Sequence, residues 1–205
     1  MDTLRIATYN IHKGVQGIGP ARRLEIHNLG HAVEQLDADV VCLQEVRKLH
    51  RREERYFTRW PELPQAEFLA PEGYHPVYQT NAVTRHGEHG NALLSRWDVV
   101  SKGHEDMSDH RFEQRGMLHV VVLAHERRVH VIVLHLGLVA ASRSRQIAQL
   151  QRFGLTDLDE TTVFGKPSSD LGTPQFKTDW LQQSARDGYH LGFFVTESKR
   201  DIAAI

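Results

Sequence analysis

The sequence predicts an α/β domain, and three observations carry the prediction. Val40-Val41-Cys42-Leu43-Gln44-Glu45-Val46 is an apolar, largely β-branched run, the pattern of a strand buried on both faces. Leu4 to Asn10 alternates apolar and polar positions as a strand does, and between the two runs Leu24, Leu29, Val33 and Leu36 recur at near-helical spacing. Gly116 to Ala124 and Val129 to Leu136 are strongly β-patterned and separated only by His125-Glu126-Arg127-Arg128, so they read as a hairpin.

At 205 residues the chain suits one such domain rather than two. Lys and Arg number 25 against 26 Asp and Glu, a formal net charge of −1, so no global basic field marks a nucleic-acid binder and local patches must hold any anion. Histidine is abundant at 14 copies, most of which must be ordinary polar residues. The single cysteine, Cys42, excludes an intramolecular disulfide framework and fits a reducing compartment. The Met1-Asp2 start shows no charged-then-apolar leader, and no stretch approaches the roughly 18 apolar residues of a membrane helix. The expectation is a soluble, cytoplasmic protein without an integral membrane segment, its oligomeric state unknown.

The first strand ends in Asn10 and the loop Ile11-His12-Lys13-Gly14, where polar side chains gather. Beyond glycines 14, 17 and 19, Pro20 suits a first helical turn and predicts a helix over about 21–36. Strand, helix and the Val40 strand make a βαβ-like beginning, which brings Asn10 and Glu45 to one rim. Arg51-Arg52-Glu53-Glu54-Arg55, followed by Tyr56, Phe57 and Trp60, predicts a charged helix with its aromatic face on the sheet, broken at Pro61 and Pro64. Tyr74 to Tyr78 and Asp98 to Ser101 read as short strands, and His86-Gly87-Glu88-His89-Gly90-Asn91 as a polar loop between them. Ser142 to Phe153 resumes helical spacing through Ile147, Leu150 and Phe153, with Ser142 or Ser144 as N-cap. Residues 156–177 are then rich in Thr, Asp, Ser, Gly and Pro, and Gly192-Phe193-Phe194-Val195-Thr196 offers a late strand. This predicts a domain over 1–153 and a divergent tail over 154–205.

Polar residues stand at the ends of the apolar runs: Asn10, Glu45, Asn91, Arg115 and His135. A half-buried carboxylate such as Glu45 needs a partner at the strand's carboxyl end, either a cation or a set of hydrogen-bond donors, the plainest case being an ion pair with Arg47 or Lys48 on a loop rim. One carboxylate with an amide suits a hard cation such as Mg²⁺, which keeps several waters and takes its other ligands from substrate phosphate. An Arg and a His nearby suit the clamping of a phosphate and the stabilisation of its developing charge.

Five pieces carry a resemblance: Thr8-Tyr9-Asn10-Ile11-His12, Leu43-Gln44-Glu45-Val46, Gly90-Asn91-Ala92-Leu93-Leu94-Ser95, Gln114-Arg115-Gly116 and Leu134-His135-Leu136. In order and wording the chain resembles, over about residues 3–150, the endonuclease/exonuclease/phosphatase family of exonuclease III-like and DNase I-like metal-dependent phosphoesterases. The resemblance implies a two-sheet β-sandwich flanked by helices, and hydrolysis of a phosphodiester or phosphomonoester in a nucleic acid, phospholipid or inositol phosphate. It implies Mg²⁺ or Mn²⁺ as cofactor, with Glu45 as metal ligand and Asn10 holding metal or nucleophile. His135 is implied as the catalytic group that stabilises the phosphate in the transition state. Arg115 and Asn91 are implied as phosphate-binding or supporting residues, with a structural loop or strand-edge role as the alternative.

The resemblance lacks its usual ending. The family's Gly-Asp-Phe-Asn segment is missing, and Ser108-Asp109-His110 precedes the His135 strand, the wrong order for the closing Ser-Asp-His motif, so it reads as a polar loop. Ser169-Asp170-Leu171 lacks the histidine, and His190 lacks the aspartate. The second half of the fold is therefore expected to be incomplete, with apolar sheet surface left uncovered. Loss of a general base costs about 10²–10⁴ in rate. The competing function is thus a catalytically inactive, truncated member that binds phosphate or metal, or has no function of its own.

Overall fold

The computed structural model describes residues 4–110, 114–157, 161–166 and 191–195. Strand β1 (Ile6–Asn10) is followed by a short ribbon, β2 (Val15–Gln16) with β3 (Arg23–Leu24), then by α1 (Ile26–Leu36) and β4 (Val40–His50). Helices α2 (Arg51–Tyr56) and α3 (Gln65–Leu69) lead to the hairpin of β5 (His75–Thr84) and β6 (Gly87–Ser95). A meander of β7 (Val99–Asp106), β8 (Gly116–Ala124) and β9 (Arg127–Leu134) precedes α4 (Ala140–Asp157), β10 (Thr161–Lys166) and β11 (Leu191–Val195).

These strands make two larger sheets, ordered β1-β4-β6-β5 and β11-β10-β9-β8-β7. β1 and β4 pair in parallel, with Asn10 opposite Gln44, and α1 is the crossover between them. The inner faces meet in one core, Val40, Cys42, Val77 and Leu93 from the first sheet packing with Leu118, Val120, Val131 and Val133 from the second. The outer face of the first sheet buries Val41, Leu43 and Leu94 under α1 and α3, through Ile26, Val33 and Leu69. On the second, Leu150 of α4 packs with Met117, Ile132 and Leu134. Each such side chain removed from water contributes roughly 1.5–3 kcal/mol. The result is the two-sheet sandwich flanked by helices, and at these positions α4 covers the face that the sequence left open.

Several boundaries differ from the sequence reading. Leu24 pairs with Val15 in the ribbon, so the helix expected from 21 starts at Ile26, and Pro20 occupies a single turn over Gly19–Ala21. β4 continues to His50 and leaves only Arg51–Tyr56 to the charged helix. Aromatic side chains here pack on arginines, one of them on the sheet itself: the Arg22 guanidinium lies 4.6 Å from the Tyr56 ring centre, and that of Arg47, on β4, 5.9 Å from the Trp60 ring centre. The loop expected over 86–91 is mostly strand, which places Asn91 inside β6. α4 starts at Ala140, so Ser144 is no cap, and its hydroxyl donates back to the Ala140 carbonyl at 3.1 Å. The β8–β9 hairpin stands where expected, its turn formed by His125 and Glu126 at φ 49° and 66°.

β10 and β11 extend the second sheet in parallel with β9. Most of the tail expected over 154–205, including Ser169-Asp170-Leu171, His190 and Thr196, lies outside the described residues. Among the described residues no helix is long and apolar enough to cross a membrane.

Candidate active site

One irregularity in β4 builds the rim where β1 and β9 end. Side chains two apart share a strand face, yet Leu43 and Val46 both pack on the helix side, so one extra residue lies between them. The pairing against β6 shows the same slip, from Leu43 opposite Ala92 to Val46 opposite Gly90. Glu45 absorbs it at φ 55°, a left-handed conformation that costs a non-glycine residue about 1–3 kcal/mol. The bulge delivers the Glu45 carboxylate to the rim with 19% of its side chain exposed.

That carboxylate meets four side chains. Asn10 Nδ2 donates to Oε1 at 3.2 Å, and His135 Nε2 lies 3.8 Å from the same oxygen. Lys13 Nζ is 3.6 Å and His12 Nδ1 4.0 Å from Oε2. The ion pair thus falls to Lys13 rather than to Arg47 or Lys48; Arg47 faces Glu53 at 3.8 Å. Burial works against the charged carboxylate, but Lys13, His135, Asn10 and His12 outweigh it and hold the Glu45 pKa below its ordinary value.

Lys13 comes from a strained loop. His12, Lys13 and Gly14 all have positive φ, at 46°, 64° and 70°. The loop is held from several sides: the His12 N–H donates to Asn10 Oδ1 (2.9 Å), the Gly14 N–H to the Ile11 carbonyl (2.9 Å), and the Ile11 N–H to the Gln44 carbonyl (3.1 Å). Buried Gln65 on α3 adds a clamp, donating through Nε2 to the Lys13 carbonyl (2.9 Å) and accepting at Oε1 from the Arg47 N–H (2.8 Å). One amide therefore ties the loop to β4 just beyond the bulge. Gly14 permits this contact, because a Cβ there would lie 2.6 Å from Gln65 Nε2.

His135 follows β9 directly, its side chain 13% exposed. Burial, and then the charge of Arg115, push its pKa down to about 4, so the imidazole is neutral at neutral pH. Arg115 stands just before β8, its backbone fixed by Ser108, whose Oγ accepts from the Arg115 N–H at 3.0 Å. His89 on β6, opposite Arg47, is likewise pushed down to about 4 by burial and the charge of Lys13. Asn91 is fully buried; its Nδ2 donates to the Gly116 carbonyl (2.9 Å) and the Val133 carbonyl (3.1 Å), joining the first sheet to the second two residues before His135.

The structure thus gathers Asn10, Glu45 and His135, sets Arg115 near enough for its charge to act on His135, and places Asn91 between the sheets. Lys13, His12 and His89 join them without having been singled out; the signal for the first two was the polar loop directly after β1. Ser108-Asp109-His110 is engaged elsewhere: the Asp109 carboxylate takes Arg145 and the Ser142 hydroxyl of α4, the latter at 2.6 Å.

The donor set fits a hard divalent cation in a restricted way. Glu45 supplies a carboxylate at the rim, while Asn10 Oδ1 is engaged by the His12 N–H. Among the described residues no three or more His, Cys, Asp and Glu side chains form a ready metal cage. Mg²⁺ commonly takes one or two carboxylates and completes its shell with water and substrate phosphate, which Glu45 alone satisfies.

The uncharacterized protein YbhP of Escherichia coli (strain K12) is 37% identical over 151 residues, 72% of this chain and 59% of that protein. The chain therefore spans about six-tenths of the length of that relative. Sphingomyelinase C from Streptomyces griseocarneus is similar in fold, with a TM-score of 0.56, 20% identity and coverage of 92% of this chain and 70% of that one. A mannosyl-6-phosphatase from Bacteroides thetaiotaomicron gives a TM-score of 0.55, 18% identity and coverage of 76% and 61%. A profile of the Endonuclease/Exonuclease/phosphatase family matches residues 7–182, a span containing every rim residue described above, and the chain belongs to that family.

Proposed function

We propose that this protein is a divalent-metal-dependent phosphoesterase, cleaving a phosphodiester or phosphomonoester at the rim between Glu45 and His135. The observation that carries the reading is the Glu45 bulge, which places a strained, half-buried carboxylate 3.8 Å from a histidine held neutral by burial and Arg115. Glu45 would hold Mg²⁺ or Mn²⁺, which supplies Lewis-acid polarisation of the phosphoryl group and a more acidic water. Asn10 orients Glu45 through its amide. Arg115 clamps a phosphate oxygen, and neutral His135 donates a hydrogen bond to a phosphoryl oxygen as charge builds there. Asn91 keeps the two sheets, and so the two halves of the site, in register.

The names sphingomyelinase C and mannosyl-6-phosphatase put one phosphate diester and one sugar monophosphate among the similar folds. What those substrates share is the phosphoryl group, which is what this rim addresses. Nucleic acid, phospholipid and inositol phosphate are the substrate classes we assign, with the cytoplasm, where buried Cys42 stays reduced, as the compartment.

One observation favours a second reading. Among the described residues no three or more His, Cys, Asp and Glu side chains form a metal-holding group, as suits a phosphate- or metal-binding module without turnover. Hydrolysis of bis(p-nitrophenyl) phosphate with and without Mg²⁺ separates the two. Mg²⁺-dependent turnover that falls about 10²-fold or more in both Glu45→Gln and His135→Ala supports the enzyme. Folded protein that binds Mg²⁺ through Glu45 yet gives no turnover supports the binding module.

A further inference from the structure

We propose that Lys13 is the site's built-in cation: it neutralises Glu45 while no divalent ion is bound, and passes to the substrate phosphate once an ion takes Glu45. The inference rests on the reading of Glu45 as the metal's carboxylate. Its ground is the juxtaposition of Lys13 Nζ and Glu45 Oε2 at 3.6 Å, on a loop whose backbone is fixed while the side chain stays 36% exposed. The backbone at φ 64° is held by the Gln65 clamp on the Lys13 carbonyl and by the bond from Gly14 to Ile11. Such over-determined strain marks a position whose geometry matters to the site.

A lysine suits both halves of this task. Its ammonium is a compact charge on a flexible four-carbon stem, so it can leave one anion for another without moving the loop. A divalent ion on Glu45 repels an ammonium 3.6 Å from the same carboxylate, and the displaced charge goes to the anion that arrives with the metal. His12, also on Oε2 at 4.0 Å, is the other group that must make way. Arg115, whose charge already acts on His135, is the second cation available to the phosphate.

The arrangement makes Lys13 an opponent of the metal and an ally of the phosphate, so removing it has effects of opposite sign. Mn²⁺ titration followed by electron paramagnetic resonance, and inorganic phosphate binding by calorimetry at saturating Mg²⁺, read the two separately. In Lys13→Met, Mn²⁺ is expected to bind several-fold tighter and phosphate about tenfold weaker, the size of one charge-assisted hydrogen bond, and Lys13→Arg returns both toward wild type. Lys13→Asn, whose residue type tolerates the left-handed backbone, is the second neutral variant should Lys13→Met fail to fold. Unchanged or weaker Mn²⁺ binding in the folded neutral variant, or unchanged phosphate binding, overturns the proposal. Glu45→Gln distinguishes the deeper failure: wild-type protein that binds no Mn²⁺, or binds it equally well in Glu45→Gln, removes Glu45 as the metal's carboxylate and this role of Lys13 with it.

Discussion

At the scale of single residues, the rim's electrostatics translate into a pH dependence of stability. His135 has an ordinary pKa of 6.5, pushed down to about 4 by burial and Arg115, so between those values the unfolded chain binds a proton that the folded chain refuses. Stability is therefore intact above about 6.5 and falls as pH drops toward 4. Glu45 acts in the same direction, because its pKa is lowered on folding and its contribution is lost as pH falls through the folded value. At 1.36 kcal/mol per pKa unit, His135 alone implies a loss of about 2 kcal/mol between pH 7.5 and pH 5. Urea denaturation in EDTA at the two pH values is expected to show it, with a smaller loss in His135→Gln. An undiminished loss in that variant would assign the proton to another group, His89 first. Gly14→Ala is the backbone counterpart: with φ at 70° and Gln65 only 2.6 Å from the new Cβ, it should cost more than about 1 kcal/mol.

Among elements, the joint between the sheets is the part most exposed to a single change. Asn91 on β6 donates to carbonyls at the start of β8 and the end of β9, and nothing apolar can replace those two bonds. Asn91→Leu leaves both carbonyls buried without this donor and should destabilise by about 2–4 kcal/mol in urea, lowering any phosphoesterase activity through the position of His135. A stable variant with unchanged activity would show that packing alone aligns the sheets. This joint also marks where the sequence stopped being legible. The Val40 run, the βαβ start and the β8–β9 hairpin were readable because each follows from local periodicity, although the four-residue connection expected over 125–128 is a turn of only His125 and Glu126. Glu45 was expected at a strand's end, whereas it sits in a bulge inside β4, since an apolar run does not reveal how far its strand continues or the register its partner will impose. The Lys13–Glu45 pair and the bonds of Asn91 are contacts between distant segments, and no periodicity within either segment encodes them.

The whole molecule carries a formal net charge of −1, and several of its arginines are matched to carboxylates. Arg5 and Arg96 meet Asp37 and Asp39, Arg22 and Arg47 meet Glu53, and Arg145 meets Asp109. At the rim itself, positive charge is supplied by Lys13 beside Glu45 and by Arg115, whose charge acts on His135. A nucleic acid gripped along its backbone releases a counterion at every phosphate contacted, whereas one held at a single phosphate releases few. If an oligonucleotide is a substrate, log kcat/KM against log salt should therefore fall with a slope of only about −1 to −2, near −0.7 for each phosphate of a single strand. The measurement uses a labelled oligonucleotide between about 50 and 200 mM KCl, a range over which a protein with 6–10 phosphate contacts loses about 10³–10⁵ in affinity. A slope steeper than about −5 would demand an extended basic track over the exposed arginines beyond the rim. It would shift recognition from the rim to a surface running well beyond it, and with it the claim that this protein addresses a phosphoryl group rather than a polymer.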